Sequence, residues 1–341
     1  MTEWPMAAPE AVGMRSETLS AVTGWLDGLP GANLHGIAVA RNGRMVFQHY
    51  RTGPDERFGT VAHGPDVKHD LRSVTKVVTG LLIGDAVARG LIPDLEMPIF
   101  DLLPEYVDLR TPEKARISIR HLLTMSAGLE WDENLPITDP MNGERRLWQS
   151  EDRLRTALAP RLLSEPGSVC AYSGGCTELL AAVLCKVSGK TIDAYASDVL
   201  FEPLGITDVE WIRHRDGTPS ASGGLHMRVP DLAKIGQLAV DGGRWNGAQR
   251  IPAAWIEQSL TPQIGMDDRL FFYGFHWWLG RSLIGGREIA WAAGIGLGGQ
   301  RLFVVPSLAL VVVITAGHYT DAMQSWLPMT ILNRYVLPAL I

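Results

Sequence analysis

The stretch Leu71-Arg72-Ser73-Val74-Thr75-Lys76 runs directly into Val77-Val78-Thr79-Gly80-Leu81-Leu82-Ile83, and its reading decides the fold. A serine and a lysine stand three residues apart at the head of an apolar run of helical type. On a helix, positions i and i+3 share a face, so Ser73 Oγ and Lys76 Nζ fall one turn apart. Leu81, Leu82, Ile83, Ala86 and Val87 give this helix a buried character, and Gly90 is its stop signal. A serine hydroxyl needs a base beside it before it can attack a carbonyl. A lysine desolvated by such neighbours is expected to become neutral enough to serve. Alone, the pair reads more readily as a helix cap beside a solvated lysine, so the rest of the chain must decide.

Two further pieces fit an active serine. Tyr172-Ser173-Gly174 forms a tight polar turn ahead of a helix. A buried tyrosine beside a lysine cation is expected to lose its proton more easily than in water, and can shuttle the serine proton to a leaving group. Ser173 is a rival nucleophile, but no basic side chain stands at helical spacing from it. Gly294-Ile295-Gly296-Leu297-Gly298-Gly299-Gln300 precedes a strand over 301–305. Glycines admit close backbone approach, and an edge strand there can offer an N–H to a developing oxyanion together with the N–H of Ser73. A phosphate-binding reading fails because no helix follows. There is no G-x-S-x-G, so the α/β-hydrolase elbow is missing.

Composition narrows the class. The 341 residues are 46% apolar and 20% charged, with a net charge of −6. No basic or acidic run calls for nucleic acid or an anionic membrane. Met1 to Glu10 lacks the pattern of a secretory leader, and the apolar run 302–316 is broken by Pro306 and too short for a bilayer. The three cysteines, Cys170, Cys176 and Cys185, are odd in number, which together with the missing leader predicts reduced thiols and a cytoplasmic protein. The nine histidines are scattered, with no close pair in sequence, so neither a metal nor a cofactor is expected. Of the eleven tryptophans, Trp131, Trp277, Trp278 and Trp291 lie in loop-like segments and could line a pocket.

In order, the chain predicts a helix over 15–28, strands over 36–40 and 45–50 joined by an Asn42-Gly43 turn, and then the Ser73 helix. A short helix over 118–125 leads to a loop over 129–150. Helices follow over 151–164, 179–187 and 192–204, with another beginning at Pro230-Asp231. Strands return over 273–279, 288–292, 301–305 and 309–315, and a helix over about 321–337 closes the chain. Strands at both ends with helices between argue for an α+β fold, not a regular βα alternation. One antiparallel sheet, with the terminal helices flanking it, is the simplest closure. The division expected is one catalytic unit over 1–341, its sheet lobe over about 10–65 and 265–341 and its mostly helical lobe over about 66–264.

With these pieces in place, the chain resembles the serine β-lactamase and penicillin-binding-protein-like superfamily. It is most similar to the class C β-lactamase-like branch with the family VIII carboxylesterases and the 6-aminohexanoate-dimer (nylon-oligomer) hydrolases. Arg72-Ser73-Val74-Thr75-Lys76, His121-Leu122-Leu123-Thr124-Met125-Ser126-Ala127-Gly128-Leu129, Phe201-Glu202-Pro203-Leu204-Gly205-Ile206 and Gly298-Gly299-Gln300 carry the likeness, which runs from about residue 10 to 335. The resemblance implies the β-lactamase/transpeptidase-like sandwich. It implies Ser73 as acylated nucleophile, Lys76 as its base, and Tyr172 as the tyrosine of the family's Y-x-N. Gly294-Ile295-Gly296 falls where lactamases carry K-T-G, which makes Leu297 N–H the second oxyanion donor.

Two departures stand out: Gly174 replaces the asparagine of Y-x-N, and no lysine or histidine begins the third motif. Both remove groups that lactamases use on the β-lactam amide and carboxylate. The expectation is a carboxylesterase-like serine hydrolase for a small ester or amide, with weak or no β-lactamase activity. An amidase or peptidase for D-amino-acid or ω-amino-acid oligomers, and a non-catalytic binding module, are the alternatives. In the nylon-oligomer branch the loop after the helix over 118–125 carries substrate-facing polar groups. The resemblance therefore puts Trp131, Asp132 and Glu133 at the cleft, with His226 on its other side as a neutral donor or acceptor. Partners reduce to the small-molecule substrate, with a homodimer left open.

Overall fold

The computed structural model describes residues 4–266 and 270–340. Of the Met1–Glu10 segment read for a leader, the first three residues lie outside it. Helix α1 (Ser16–Asp27) buries Leu19, Val22 and Leu26 on one face. Strands β1 (Leu34–Arg41) and β2 (Arg44–Tyr50) form the expected hairpin. Asn42 and Gly43 both take positive φ (51° and 71°), which is what a two-residue turn of this hand demands. Strand β3 (Lys68–Asp70) leads through a tight turn, Arg72–Val74, into α2 (Thr75–Ala88). Helix α3 (Gly174–Ser188), β4 (Val209–Trp211), β5 (Leu225–Arg228) and α4 (Val229–Val240) follow. The chain then lays down β6 (Ile264–Gly265), β7 (Phe272–Tyr273), β8 (Trp278–Ile284), β9 (Arg287–Gly296), β10 (Gln300–Val305) and β11 (Leu310–Ala316) before α5 (Met323–Thr330).

Eight of these strands make one sheet in the order β6-β7-β8-β9-β10-β11-β1-β2, antiparallel throughout. The two chain ends meet where β1 pairs with β11, with Ile37 opposite Ile314 and Val39 opposite Val312. This is the α+β closure that the terminal strands implied. Alternation sorts the side chains onto two faces. Ile37, Val39, Phe303, Val305, Val312 and Ile314 pack with α1 and the C-terminal helices. Ala38, Ala40, Leu302, Val304, Val311 and Val313 pack with the helical layer that contains α2 and α4. Among the described residues no helix is long and apolar enough to cross a membrane.

Several local expectations are corrected. The supposed loop over 129–150 contains a helix, Gly143–Gln149, whose Asn142 cap accepts from Arg145 N at 2.9 Å. The helix expected over 151–164 is only Arg153–Leu158, because Pro160 stops it. The strand over 273–279 is cut in two around His276, which has φ 61°. The closing helix changes register after α5, where Pro328 removes a backbone donor, and Ile331–Val336 continues with wider turns. The helical half also holds a small sheet, β3-β5-β4, that the pattern did not announce. Trp277 and Trp291 are buried in the core, 1% and 3% exposed.

Candidate active site

The nucleophile segment is fixed before the helix begins. Leu71 N donates to Leu225 O at 2.9 Å, fastening it to β5. Arg72 then takes φ 47°, a conformation that costs a non-glycine residue energy and needs external support. Asp70 supplies it, accepting from Arg72 N at 2.8 Å and forming an ion pair with Arg72 Nε at 2.9 Å. The guanidinium also pairs with Glu56 and lies 4.9 Å from the centre of the Tyr319 ring. Ser73 therefore sits in the tight turn, not on the α-helix itself. Three residues per turn eclipses positions i and i+3. Lys76 Nζ accordingly donates to Ser73 Oγ at 2.9 Å, and also to Ser222 O at 2.7 Å.

Tyr172 closes the group. Its ring packs on Trp278 and Tyr273 at centroid distances of 5.4 and 6.1 Å, and Lys76 Nζ is 4.9 Å from its centre. The electrostatics reverse one expectation. Burial alone lowers the Lys76 pKa, but Tyr172 and the carboxylates of Glu133 and Glu144 overcome it and the net direction is up. Burial raises the Tyr172 phenol by more than Lys76 lowers it. At rest the lysine is therefore an ammonium and the tyrosine keeps its proton. Desolvation was the term read from the sequence; the opposing carboxylates come from segments that the local pattern does not connect.

Glu133 explains the departure at Gly174. Its Oε1 accepts from Gly174 N at 2.5 Å and from Trp131 Nε1 at 2.8 Å. A Cβ on residue 174 would fall 3.0 Å from that oxygen and 3.3 Å from Ser222. The carboxylate occupies the volume next to a missing side chain, and burial raises its pKa against the pull of Lys76. Trp131 packs over Gly143 and Gly175, where a Cβ would meet its ring at 2.3 and 3.2 Å.

Asp132 and His226 are not brought to this group. Asp132 is exposed, and its Oδ1 accepts from Asn134 N at 2.7 Å as a turn cap. His226 is buried on β5 opposite Asp70 and lines a separate 30 Å³ cavity with Arg72 and Tyr319. A larger groove of about 420 Å³, lined by Phe272, Arg281 and Trp291 among others, also lies away from Ser73.

The third motif begins within a strand. Gly294 and Gly296 belong to β9 and lie against the nucleophile segment. A Cβ on Gly294 would come within 3.0 Å of Val74 Cγ1, and one on Gly296 within 2.6 Å of Leu71 O. Only glycine permits this approach. Ile295 points the other way, into the core under the terminal helices. Leu297 follows at the hairpin, its side chain 44% exposed, ahead of Gly298 and Gly299 with φ 86° and 99°. Gln300 pins the strand end to β11, donating to Ala316 O at 2.6 Å and accepting from Ala316 N at 3.1 Å.

Sequence reading missed Ser222 and Glu178. Glu178 on α3 is fully buried and accepts from Ser222 N at 3.0 Å and Ser222 Oγ at 2.8 Å. Arg153 Nε and His214 Nε2 each lie 3.4 Å from it. Burial raises its pKa, but His214, Arg153 and Ser222 outweigh that and hold it below the usual value. Thr79 Oγ1 donates to Ala221 O at 3.0 Å, completing a frame that aims Ser222 O at Lys76. No spacing signals these long-range contacts. The rival Ser173 is occupied as the cap of α3, its Oγ accepting from Cys176 N at 3.4 Å. No disulfide joins the three cysteines. The histidines, however, are not scattered in space: His35, His63 and His69 converge.

An Ser-x-x-Lys pair held between an eight-stranded antiparallel sheet and a helical layer is the arrangement of the β-lactamase/transpeptidase fold. The Beta-lactamase family model matches residues 22–324, and the chain belongs to that family. It is 25% identical over 293 residues to the 6-aminohexanoate-dimer hydrolase of Paenarthrobacter ureafaciens, covering 81% of this chain and 70% of the relative. Esterase EstB of Burkholderia gladioli is 28% identical over 184 residues, which is 51% of this chain and 46% of the esterase. Among solved structures, EstCE1, a hydrolase with promiscuous acyltransferase activity, superposes with a TM-score of 0.76 at 18% identity, covering 95% of this chain and 98% of that one. A penicillin-binding protein homolog from Caulobacter crescentus gives 0.73 at 19% identity, covering 94% and 98%. At those identities the two structures attest the fold alone.

Glu178→Gln removes the fully buried carboxylate that Arg153, His214 and Ser222 share, and leaves Arg153 with Asp216 alone. The variant should lose on the order of 3 kcal/mol of stability at neutral pH, read from urea unfolding. The folded-state pKa of Glu178 is depressed, so its contribution is present above about 4.5 and is lost as pH falls through the folded value. The gap between wild type and variant should therefore close in acid. Equal stability at pH 7 would contradict the reading.

Proposed function

We propose that the protein is a serine hydrolase that forms an acyl-enzyme on a small, neutral ester. The observation that carries this reading is Lys76 Nζ at 2.9 Å from Ser73 Oγ beneath the Tyr172 ring. Ser73 is the nucleophile, and Lys76 with Tyr172 is the acid–base unit, which becomes a base when the pair gives up one proton. Ser73 Oγ adds to the ester carbonyl while its proton passes to that unit. The N–H groups of Ser73 and Leu297 hold the oxyanion, with Gly294-Ile295-Gly296 as the backbone rail beside the substrate. Tyr172 returns the proton to the leaving alcohol oxygen. Water then repeats the attack on the acyl-enzyme, taking the same proton route, and frees the acid and Ser73. The whole chain acts as one catalytic unit in the cytoplasm. The named relatives, a 6-aminohexanoate-dimer hydrolase and an esterase, support hydrolysis as the reaction class.

Glu133 sets the preference. A carboxylate beside Gly174, with no lysine at the third motif, repels the carboxylate that β-lactams carry. The same charge favours a second reading, an amidase for oligomers with a free ammonium, such as D-amino-acid or ω-amino-acid chains. Short acyl esters of p-nitrophenol should be hydrolysed with kcat/KM at least about tenfold above nitrocefin, about 1.4 kcal/mol of transition-state binding. Glu133→Gln should narrow that ratio. Equal efficiency on both substrates contradicts the ester reading, and a clear preference for 6-aminohexanoate dimer over the esters selects the amidase.

The pH profile follows from the same charges. Lys76 and Tyr172 both sit above their ordinary values, so the deprotonated base gains population as pH rises. Activity should climb through neutrality into the alkaline range. Glu133 raises both groups, so Glu133→Gln should move this limb roughly one unit toward lower pH. A limb that stays in place, or moves upward, would remove Glu133 from the site's electrostatics.

A further inference from the structure

His35 on β1, His63 in the loop before β3, and His69 on β3 bring one ring nitrogen each within 4.8 Å of the others. His35 and His69 are 0% and 3% exposed. Their hydrogen positions follow from their surroundings. His35 Nε2 faces two acceptors, Asn33 Oδ1 at 3.0 Å and Pro54 O at 3.1 Å, so it carries the hydrogen. The Asn33 amide is oriented by its own bond, Nδ2 donating to Pro54 O at 2.8 Å. His69 Nδ1 lies 2.9 Å from Asp70 O, so it too is protonated. The remaining nitrogens, His35 Nδ1 and His69 Nε2, face each other at 2.7 Å with a lone pair apiece. His63 Nε2 is shielded from solvent and has no hydrogen-bond partner among the described residues.

Two bare lone pairs at that distance repel unless a positive charge lies between them. A proton shared between the two rings is one candidate for that charge. A metal ion is the other candidate, and the second shell suits one. Metal-binding histidines characteristically donate their far N–H to a carbonyl, as both rings do here. Three neutral imidazoles suit zinc among the common divalent ions.

We propose that His35 Nδ1, His69 Nε2 and His63 Nε2 form a binding site for one zinc ion, with the fourth position open to water. Two zinc bonds of about 2.0–2.1 Å at a tetrahedral angle need the 2.7 Å pair to open to roughly 3.3 Å. His63 must also tilt from its stack on His35, whose ring centre is 3.9 Å away. The ion would tie β1 to β3, whose Asp70 supports Arg72 in front of Ser73. Its role is therefore in holding the segment, with no part in the hydrolytic chemistry, and the proposal stands independently of the substrate.

The test uses the untagged full chain, stripped with EDTA and titrated with zinc and with cobalt(II). Expected are one equivalent per chain, a higher melting temperature, and a cobalt spectrum of tetrahedral nitrogen–oxygen type without a thiolate charge-transfer band. His63→Ala, which changes a half-buried loop residue, should keep the fold and lower zinc affinity about 10-fold or more. His69→Asn should do the same, as a second variant from a different element. No stoichiometric binding, binding unchanged in both variants, or a thiolate band would overturn the proposal. An imidazolium signature in the nitrogen NMR of the metal-free chain at neutral pH, with no zinc uptake, would assign the pair to a proton instead. Ester turnover of the stripped protein at low temperature should remain near that of the loaded protein.

Discussion

The ammonium of Lys76 is the constraint on which the rest depends. It is 2% exposed, and a buried charge costs several kcal/mol unless acceptors and counter-charges replace its water. Each replacement comes from a different part of the chain. Ser73 Oγ comes from the turn before α2, Ser222 O from the segment before β5, and the phenol from the segment before α3. Negative charge comes from Glu133 in the loop beyond. Meeting the needs of one cation thus gathers three remote segments around one serine. The second buried charge, Glu178, secures the acceptor that none of these segments could hold alone.

The sheet makes this gathering rigid. Joining the chain's first and last strands through β1 and β11 makes one continuous sheet, with apolar residues on both faces. The glycines of β9 let that sheet lie against the turn carrying Ser73, so backbone N–H groups stand where side chains would otherwise intrude. Catalysis by preorganised donors needs such a frame, since donors that must reorganise during the reaction lose most of their advantage.

What was legible in the sequence was local. Ser73 and Lys76 announced themselves by spacing, the Asn42-Gly43 hairpin by turn chemistry, and the antiparallel closure by strands at both ends. The protonation of Lys76 and Tyr172 was not legible, because it depends on Glu133 and Glu144, distant in sequence. His226 was misplaced for a related reason: its strand pairs with β3, and its side chain faces the Arg72 cavity. Asp132 looked like a ligand group but is a turn cap. The histidine trio escaped notice because positions 35, 63 and 69 match no metal-binding spacing and meet only when β1 and β3 come together. The strand expected over 288–292 runs on to Gly296, because packing against the Ser73 segment overrides the weak strand propensity of glycine.

The central claim is that the charge-framed Ser73 is the group acylated. Covalent labelling with a fluorophosphonate, followed by peptide mass spectrometry, tests it most directly. The account predicts one adduct per chain, on Ser73, formed faster as pH rises, with labelling lost in Ser73→Ala while the circular dichroism spectrum is kept. A label on Ser173 or Ser126, or a folded chain that takes up no label, would contradict it.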